Sequence, residues 1–174
     1  MIYMLLTDGF EEIEAFTPLD VLRRCGADIK TVGIKSKNVT GSHSIKTEAD
    51  IMLDEIVHEE MTMLILPGGP GYEGLKDAVQ VINYAAENDI YIGSICAAPS
   101  VIGELGLLKD KKATCFPGFE KYLAGAVVTG DKVVTDGKFI TAKGAGAAAE
   151  FAFALAELAC GKEKAAEIKN AMQY

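Results

Sequence analysis

The chain has 174 residues, of which 49% are hydrophobic and 24% are charged, and its formal net charge is -8 with an isoelectric point near 4.8. This composition is typical of globular proteins and excludes a disordered chain and a collagen-like repeat. The acidic balance argues against nucleic acid and anionic membranes as partners, because both would repel this surface, and favours a small molecule or another protein.

The N-terminal segments predict a β-α-β unit. The apolar run from Ile2 to Leu6 is typical of a buried strand. Residues 10–24 carry apolar side chains near helical spacing, so we expect a helix there, kinked or restarted at Pro18. Gly26 closes the helix, and a second strand is expected from Ile29 to Ile34. This order implies parallel strands joined by a right-handed crossover.

The middle of the chain predicts the centre of the sheet. Residues 35–60 are the least regular segment and allow a small hairpin around Gly41. Met61 to Leu66 is almost purely apolar, as expected of a parallel strand buried on both faces. An amphipathic helix is expected from Leu75 to Glu87, followed by a strand from Ile90 to Ile95.

The last third of the chain predicts a hairpin and two helices. The hairpin joins two β runs over residues 132–141 through the turn Asp136-Gly137. An alanine-rich helix is expected from Ala147 to Ala159, and a terminal helix from Lys162 to Met172. There is neither an internal repeat nor a linker, so we expect one domain over residues 1–174.

Cys96 is the candidate nucleophile. The β-branched run before it stops at the cysteine, and Ala97, Ala98 and Pro99 then open a helix, which predicts a sharp turn between a strand and a helix. Unpaired N–H groups at such a helix start favour a thiolate over a thiol. The alternative is a buried structural cysteine, but the small neighbours, Gly93 among them, leave room above the sulfur for a substrate.

A glycine-rich segment follows the strand that ends at Leu66. Residues 69–74 match G-x-G-x-x-G, but the next strand ends at Cys96 rather than at the acidic residue that a dinucleotide site requires, so we expect no nucleotide cofactor. The turn Pro67-Gly68-Gly69 is then either an oxyanion hole, with the N–H of Ala97 as a second donor, or a loop that needs positive φ angles.

The residues alone leave the choice of an acid-base partner for Cys96 open. Glu11, Glu12 and Glu14 open the first helix, where a solvated first turn is the ordinary interpretation, although one of them can reach the end of the neighbouring strand. Only a protonated carboxyl group would help, because an ionised one raises the pKa of the thiol. His43 and His58 both fall in the irregular segment, which argues against a Cys-His dyad.

The cysteine spacing bears on metal binding and redox state, and the N-terminal apolar run bears on the cellular location of the protein. Cys25, Cys96, Cys115 and Cys160 form no CxxC pair and no zinc-ligand cluster, so we expect reduced thiols, no metal site and a cytoplasmic protein. Met1 to Leu6 lacks a basic flank, which argues against a signal peptide, and no apolar run approaches the roughly 18 residues of a membrane span.

Taken jointly, the motifs of this chain resemble the ThiJ/PfpI family, most closely the branch that contains Parkinson disease protein 7. The resemblance covers nearly the whole chain and is carried by Asp8-Gly9-Phe10-Glu11-Glu12-Ile13-Glu14, Pro18, Asp20, Arg23-Arg24, Leu66-Pro67-Gly68-Gly69, Ile95-Cys96-Ala97-Ala98-Pro99, Asp136-Gly137 and Lys143-Gly144-Ala145-Gly146. It implies a flavodoxin-like, class I glutamine amidotransferase-like α/β sandwich of three layers, with a mostly parallel central sheet, helices on both faces and a small β-hairpin.

The resemblance also implies roles for four residues. Cys96 becomes the reactive, peroxide-sensitive nucleophile, Glu14 the protonated acid bonded to its sulfur, and Gly69 and Ala97 the oxyanion-hole amides. One departure is Phe116, in Thr114-Cys115-Phe116-Pro117, where many relatives carry a histidine. Phenylalanine cannot relay protons, which argues against efficient glyoxalase turnover. Lys143 also stands where arginine is frequent.

The implied functions fall into two classes. The first is an enzyme that acts on reactive carbonyls or on glycated thiols and amines, as a glutathione-independent glyoxalase or deglycase. The second is a redox sensor or stress-responsive chaperone in which Cys96 is oxidised to a sulfinate held by Glu14. Family members are usually homodimers, so a homodimer is expected as well.

Overall fold

The computed structural model describes every residue from Met1 to Tyr174. Its strands, in chain order, are β1 (Ile2–Leu6), β2 (Ile29–Gly33), β3 (Asn38–Thr40), β4 (Lys46–Glu48), β5 (Ile51–Met52), β6 (Met63–Leu66), β7 (Tyr91–Ile95), β8 (Lys112–Ala113), β9 (Val127–Val128), β10 (Val133–Asp136) and β11 (Phe139–Ala142). Seven of them form the central sheet in the order β10-β11-β7-β6-β1-β2-β5. Only the pairing of β10 with β11 is antiparallel in this sheet.

Helices cover both faces of the sheet. They are α1 (Glu12–Arg24), α2 (Val79–Glu87), α3 (Pro99–Glu104), α4 (Ala148–Cys160) and α5 (Lys162–Ala171). Helices α1, α4 and α5 contribute to one apolar cluster, and α2 and α3 contribute to a second cluster on the opposite face. The three-layer flavodoxin-like sandwich expected from the sequence is therefore confirmed. None of the helices has the length and apolar character needed to span a membrane.

The central strands are buried on both faces because their side chains alternate between the two clusters. In β1, Met4 and Leu6 pack with α1 and α4, whereas Tyr3 and Leu5 pack on the opposite side. Strand β6 alternates in the same way. Burying a large aliphatic side chain stabilises the fold by about 1.5–3 kcal/mol, so these continuous apolar runs provide much of the core. The prediction of buried parallel strands is confirmed.

The two helix predictions are refined by the structure. Helix α1 runs through Pro18 without a restart, because Pro18 is buried and α1 packs against α4, so tertiary packing outweighs the lost backbone hydrogen bond. The helix expected from Leu75 to Glu87 begins instead as a 3-10 segment, Tyr72–Ala78, and becomes α-helical only at Val79. Both predicted hairpins are present, β3 with β4 and β10 with β11.

The register of the sheet brings several loops to one edge. Leu66 of β6 is level with Ser94 of β7, and Ile95 of β7 is level with Ala142 of β11. Because these strands are parallel, the segments that follow Leu66, Ile95 and Ala142 leave the sheet side by side. In such folds, ligands bind at this carboxyl edge.

Candidate active site

Cys96 lies on the sharp turn that the sequence predicts after β7. It is one of five non-glycine residues with a positive φ, 64°, a conformation that costs about 1–3 kcal/mol and clusters at functional sites. Its N–H donates to the carbonyl of Ala142 at 2.9 Å, and its own carbonyl accepts from the N–H of Phe116 at 2.8 Å. These two bonds hold the strained backbone, and the half-buried side chain faces a cavity.

Glu14 is the buried acid of the site. It lies in the first turn of α1 and is 0% exposed. Its Oε2 accepts a hydrogen bond from the N–H of Gly68 at 3.0 Å, whereas its Oε1 has no hydrogen-bond partner. Burial raises the pKa of Glu14 to about 7, because an ionised carboxylate is poorly solvated there. The neutral form that a useful partner of Cys96 requires is therefore well populated near neutral pH.

The Cys96 thiol and the Glu14 carboxyl group titrate as a pair. Burial, and next the negative charge of Glu14, raise the pKa of the Cys96 thiol to about 12. The expectation that a helix start would give a net preference for the thiolate is therefore wrong, since α3 begins only at Pro99 and has six residues. Negative charge on sulfur requires Glu14 to keep its proton, so the pair shares one proton above pH 7.

Two backbone amides face the sulfur. The N–H groups of Gly69 and Ala97 act to lower the pKa of the Cys96 thiol. Neither donates to a backbone carbonyl, so both remain available to negative charge in the cavity. They are the donors expected from the sequence, and their role as an oxyanion hole stays a prediction.

The glycine turn between β6 and the 3-10 segment allows this close approach. A Cβ on Gly69, whose φ is 96°, would lie 2.5 Å from the nitrogen of Glu11 and 2.6 Å from the oxygen of Gly9. A Cβ on Gly68 would lie 2.8 Å from the Cβ of Cys96 and 2.9 Å from Oε2 of Glu14. The positive φ expected for this turn is therefore present at Gly69, together with a close approach of the turn to Cys96 and Glu14.

The sulfur lies in a cavity of about 320 Å³. Glu11 and Glu14 form its acidic part, and three aromatic residues line it as well, namely Tyr72, Phe116 and Phe119. Phe116 stands at the position where the family resemblance leads one to expect histidine. Tyr72 and Phe119 were not among the predicted site residues. Tyr72 follows β6 at the carboxyl edge, whereas Phe119 follows β8, which lies outside the central sheet.

The other candidates of the sequence analysis lie outside the immediate surroundings of the sulfur. Glu12 accepts from the His43 N–H at 2.7 Å and pairs with the His43 ring at 2.9 Å. Burial acts to raise the pKa of Glu12, but the hydrogen bonds from His43 and Ser42 outweigh it and lower the pKa to about 2. His58 packs against Tyr84, away from the cavity, so neither histidine forms a dyad with Cys96.

Comparison with known proteins agrees with this arrangement. The sequence profile of the DJ-1/PfpI family matches residues 1–158. The chain belongs to the DJ-1/PfpI family. The resemblance stated from the sequence motifs is thereby confirmed, since ThiJ/PfpI denotes the same group of proteins.

Relatives in the DJ-1/PfpI family carry several functional names. The chain is 36% identical to protein DJ-1 homolog B of Arabidopsis thaliana, with 95% of this chain aligned but only 39% of that protein. It is 28% identical to the glutathione-independent glyoxalase DJR-1.2 of Caenorhabditis elegans, over 92% of this chain and 89% of that one. It is 26% identical to deglycase PH1704 of Pyrococcus horikoshii, over 82% and 89%. The chain thus spans less than half of the Arabidopsis relative.

Solved structures of DJ-1 superfamily proteins share the fold. A cysteine-to-alanine mutant of STM1931 from Salmonella typhimurium superposes with a TM-score of 0.91 at 33% identity, covering 99% of this chain and 97% of that one. Toxoplasma gondii DJ-1 in an oxidized form gives a TM-score of 0.93 at 28% identity, over 99% and 97%.

Proposed function

We propose that the protein is a cysteine-dependent enzyme that acts on reactive α-dicarbonyls, in the manner of a glutathione-independent glyoxalase. The observation that carries the proposal is the placement of the Cys96 sulfur beside one buried acid and two amides without backbone acceptors, in a cavity large enough for a small substrate. The names of the DJR-1.2 and PH1704 relatives, a glyoxalase and a deglycase, support carbonyl chemistry.

In the first step, the Cys96 sulfur adds to the aldehyde carbon of a substrate such as methylglyoxal. A carbon–sulfur bond forms, and the carbonyl electron pair moves to oxygen, where Gly69 and Ala97 donate hydrogen bonds to the developing charge. Glu14 gives its proton to this oxygen, which yields a hemithioacetal. The thiolate form of the pair, with the proton on Glu14, is the form that begins the reaction.

In the second step, the ionised Glu14 takes the proton from the former aldehyde carbon, and the electron pair forms a carbon–carbon double bond while the neighbouring carbonyl becomes an enolate oxygen. Glu14 then gives that proton to the neighbouring carbon, and the proton of the former aldehyde's hydroxyl group moves to the enolate oxygen, which yields a thioester of a 2-hydroxy acid. Water then adds to the thioester, and cleavage of the carbon–sulfur bond releases lactate and regenerates the thiol. The net reaction consumes one water, and no external oxidant or reductant is needed. Glu14 serves both proton transfers because Phe116 carries no titratable group.

The decisive experiment compares Cys96→Ala with the matched variant Cys160→Ala, which removes a thiol at the end of α4. Lactate formation from methylglyoxal should disappear in Cys96→Ala and persist in Cys160→Ala. Equal rates in Cys96→Ala and in the parent would disprove the assignment. Glycated thiols and amines, the substrates implied for a deglycase, are assayed with the same variants.

A redox sensor is the second candidate, favoured by Phe116, since the aromatic ring removes the proton relay that many relatives have. In this case peroxide converts the Cys96 thiolate first to a sulfenate and then to a sulfinate, with each step reducing one peroxide to water. Glu14 and the amides of Gly69 and Ala97 would hold the sulfinate oxygens. Mild peroxide should add two oxygen atoms to the Cys96 peptide alone, and an unmodified Cys96 would rule this candidate out. A chaperone role triggered by that oxidation is tested with a client aggregation assay.

We infer further that the protein is a cytoplasmic homodimer, as the family resemblance implies. The support is the resemblance itself, and light scattering of the purified protein tests the dimer. A monomeric mass at micromolar concentration would contradict it.

A further inference from the structure

Three aromatic side chains meet beside the nucleophile. The rings of Tyr72 and Phe119 lie 5.3 Å apart at 86°, and those of Phe116 and Phe119 lie 6.3 Å apart at 78°, both in edge-to-face arrangements. They come from two different segments, the 3-10 segment after β6 and the turn after β8. We call Tyr72, Phe116 and Phe119 the aromatic wall of the cavity.

The aromatic wall is more than a part of the core. Phe116 is 46% exposed, a large apolar surface at the mouth of a cavity that contains a nucleophile. The hydroxyl of Tyr72 donates to Oε1 of Glu73 at 3.0 Å, so its polar end is already paired outside the cavity and its ring remains to line it. Exposed apolar surface of this kind marks binding sites for apolar groups.

Size and charge restrict what the cavity accepts. A volume of about 320 Å³ corresponds to about ten water molecules at ~30 Å³ each, so a three-carbon dicarbonyl fills only part of it. Glu11 and Glu14 line the cavity as well, and negative charge on either carboxyl group disfavours an anionic substrate such as a 2-oxo acid. The space that remains suits a neutral, apolar substituent.

The position of Phe116 relative to the sulfur links this wall to the reaction. A Cβ built on Gly144 would lie 3.3 Å from Cδ2 of Phe116 and 4.0 Å from Sγ of Cys96, so the ring and the sulfur flank the same glycine. The hydrogen bond from the Phe116 N–H to the Cys96 carbonyl fixes the backbone between them. The Phe116 ring and the Cys96 sulfur are therefore close enough for one substrate to contact both.

We infer that the aromatic wall binds the apolar substituent of a neutral α-oxoaldehyde, preferably an aryl group, and that Phe116 is the specificity-determining residue. This inference rests on the proposed carbonyl activity. The dicarbonyl end lies at Cys96, Gly69 and Ala97, and an aryl ring packs edge to face against Phe116 and Phe119. The residue that replaces the expected histidine thereby gains a role in substrate selection.

The first test compares kcat/KM for phenylglyoxal with kcat/KM for methylglyoxal. The ratio of the two should fall about tenfold in Phe116→Ala and remain at the parent value in Tyr174→Leu, which removes an exposed aromatic ring at the C-terminus. Comparing ratios between variants cancels the different intrinsic reactivities of the two aldehydes. Turnover of methylglyoxal with an unchanged ratio in Phe116→Ala overturns the inference and leaves the proposed function intact.

The second test does not need turnover. Acetophenone, a neutral aryl ketone, is titrated into the protein while the amide resonances of Gly69, Ala97 and Phe119 are followed by NMR, with acetone as the matched small ketone. Saturable shifts with acetophenone, weaker with acetone and lost in Phe116→Ala, support the inference even where no dicarbonyl is converted. Such shifts without conversion of any dicarbonyl would refute the proposed enzyme activity but support the aryl-binding site. No shifts with acetophenone overturn the inference.

Discussion

Oε2 of Glu14 accepts a hydrogen bond from the N–H of Gly68 at 3.0 Å, which ties the acid of α1 to the glycine turn that follows β6. The same turn presents the amide of Gly69 to the Cys96 sulfur. The glycine turn therefore positions both the acid and the amide beside the nucleophile. A change at any of these three groups should affect the other two.

The shared proton of Glu14 and Cys96 should be visible in the pH dependence of alkylation. In the parent, the rate of iodoacetamide alkylation at Cys96 should rise with a midpoint near 7, where the pair loses its first proton, and should rise again toward pH 12. In Glu14→Gln the step near 7 should vanish, and the pKa of the lone thiol should fall below 12 because the neighbouring charge is gone.

Peptide-resolved mass spectrometry provides both the measurement and its control. Burial raises the pKa of Cys115 to about 11 without Glu14 being involved, so its peptide should show no step near 7 in either protein. The same alkylation profile at Cys96 in both proteins would refute the shared proton.

Glu14 should also make stability depend on pH. Its pKa is raised in the folded state from 4.5 to about 7, so its contribution is fully present below pH 4.5 and is lost as pH rises through 7. The loss amounts to about 3 kcal/mol of unfolding free energy, at about 1.36 kcal/mol per pKa unit. Urea unfolding at pH 5 and pH 8 should therefore show a decline in the parent that is smaller by most of this amount in Glu14→Gln. Other titrating groups are common to both proteins and cancel, and equal declines would contradict the prediction.

A methyl group at Gly68 should disrupt the site. The Cβ of Gly68→Ala would lie 2.7 Å from the carbonyl oxygen of Ile95 and 2.8 Å from the Cβ of Cys96, so the turn must move away from the nucleophile. We expect a loss of about 1–3 kcal/mol in stability and a strong loss of Cys96 reactivity. Gly146→Ala is the matched control, because a Cβ there meets no heavy atom within 4 Å. Comparable alkylation rates in the two variants would argue against the close approach.

The buried carboxylate of Glu12 should hold the segment around His43 to α1. It accepts hydrogen bonds from the N–H and the ring of His43 and from the hydroxyl of Ser42. Glu12→Gln removes the negative charge from the acceptor of these hydrogen bonds. The free energy of unfolding should fall by about 1–3 kcal/mol, and hydrogen exchange at the His43 amide should become faster. The exposed Glu48→Gln in β4 serves as the control. Unchanged exchange at His43 would disprove this role.

Much of the fold follows from local patterns in the sequence. The apolar runs of β1 and β6 and the Asp136-Gly137 turn specify their elements because burial on both faces and positive φ leave few residue choices. The continuity of α1 through Pro18 and the 3-10 form of Tyr72–Ala78 do not follow from local patterns, since packing against neighbouring elements decides their conformation. No short-range rule describes that packing.

Some features of the candidate site also follow from the sequence, whereas others depend on the fold. The sharp turn at Cys96 can be predicted from the sequence because a strand ends there and small residues follow. The choice among Glu11, Glu12 and Glu14 was open on chemistry alone, because Glu12 and Glu14 are both buried and only the fold decides which carboxyl group lies beside Cys96. The meeting of Tyr72 with Phe119 depends on two distant loops and leaves no local signal.

The hydrogen bonds on both sides of the Cys96 peptide have a consequence for covalent ligand design. With its N–H bonded to Ala142 and its carbonyl bonded to Phe116, the cysteine backbone cannot turn toward an incoming electrophile. An electrophile must instead reach the sulfur through the cavity, so its fit to the cavity lining affects labelling as well as its intrinsic electrophilicity. Compounds shaped to the cavity lining should label Cys96 in preference to Cys25, Cys115 and Cys160, which do not line it.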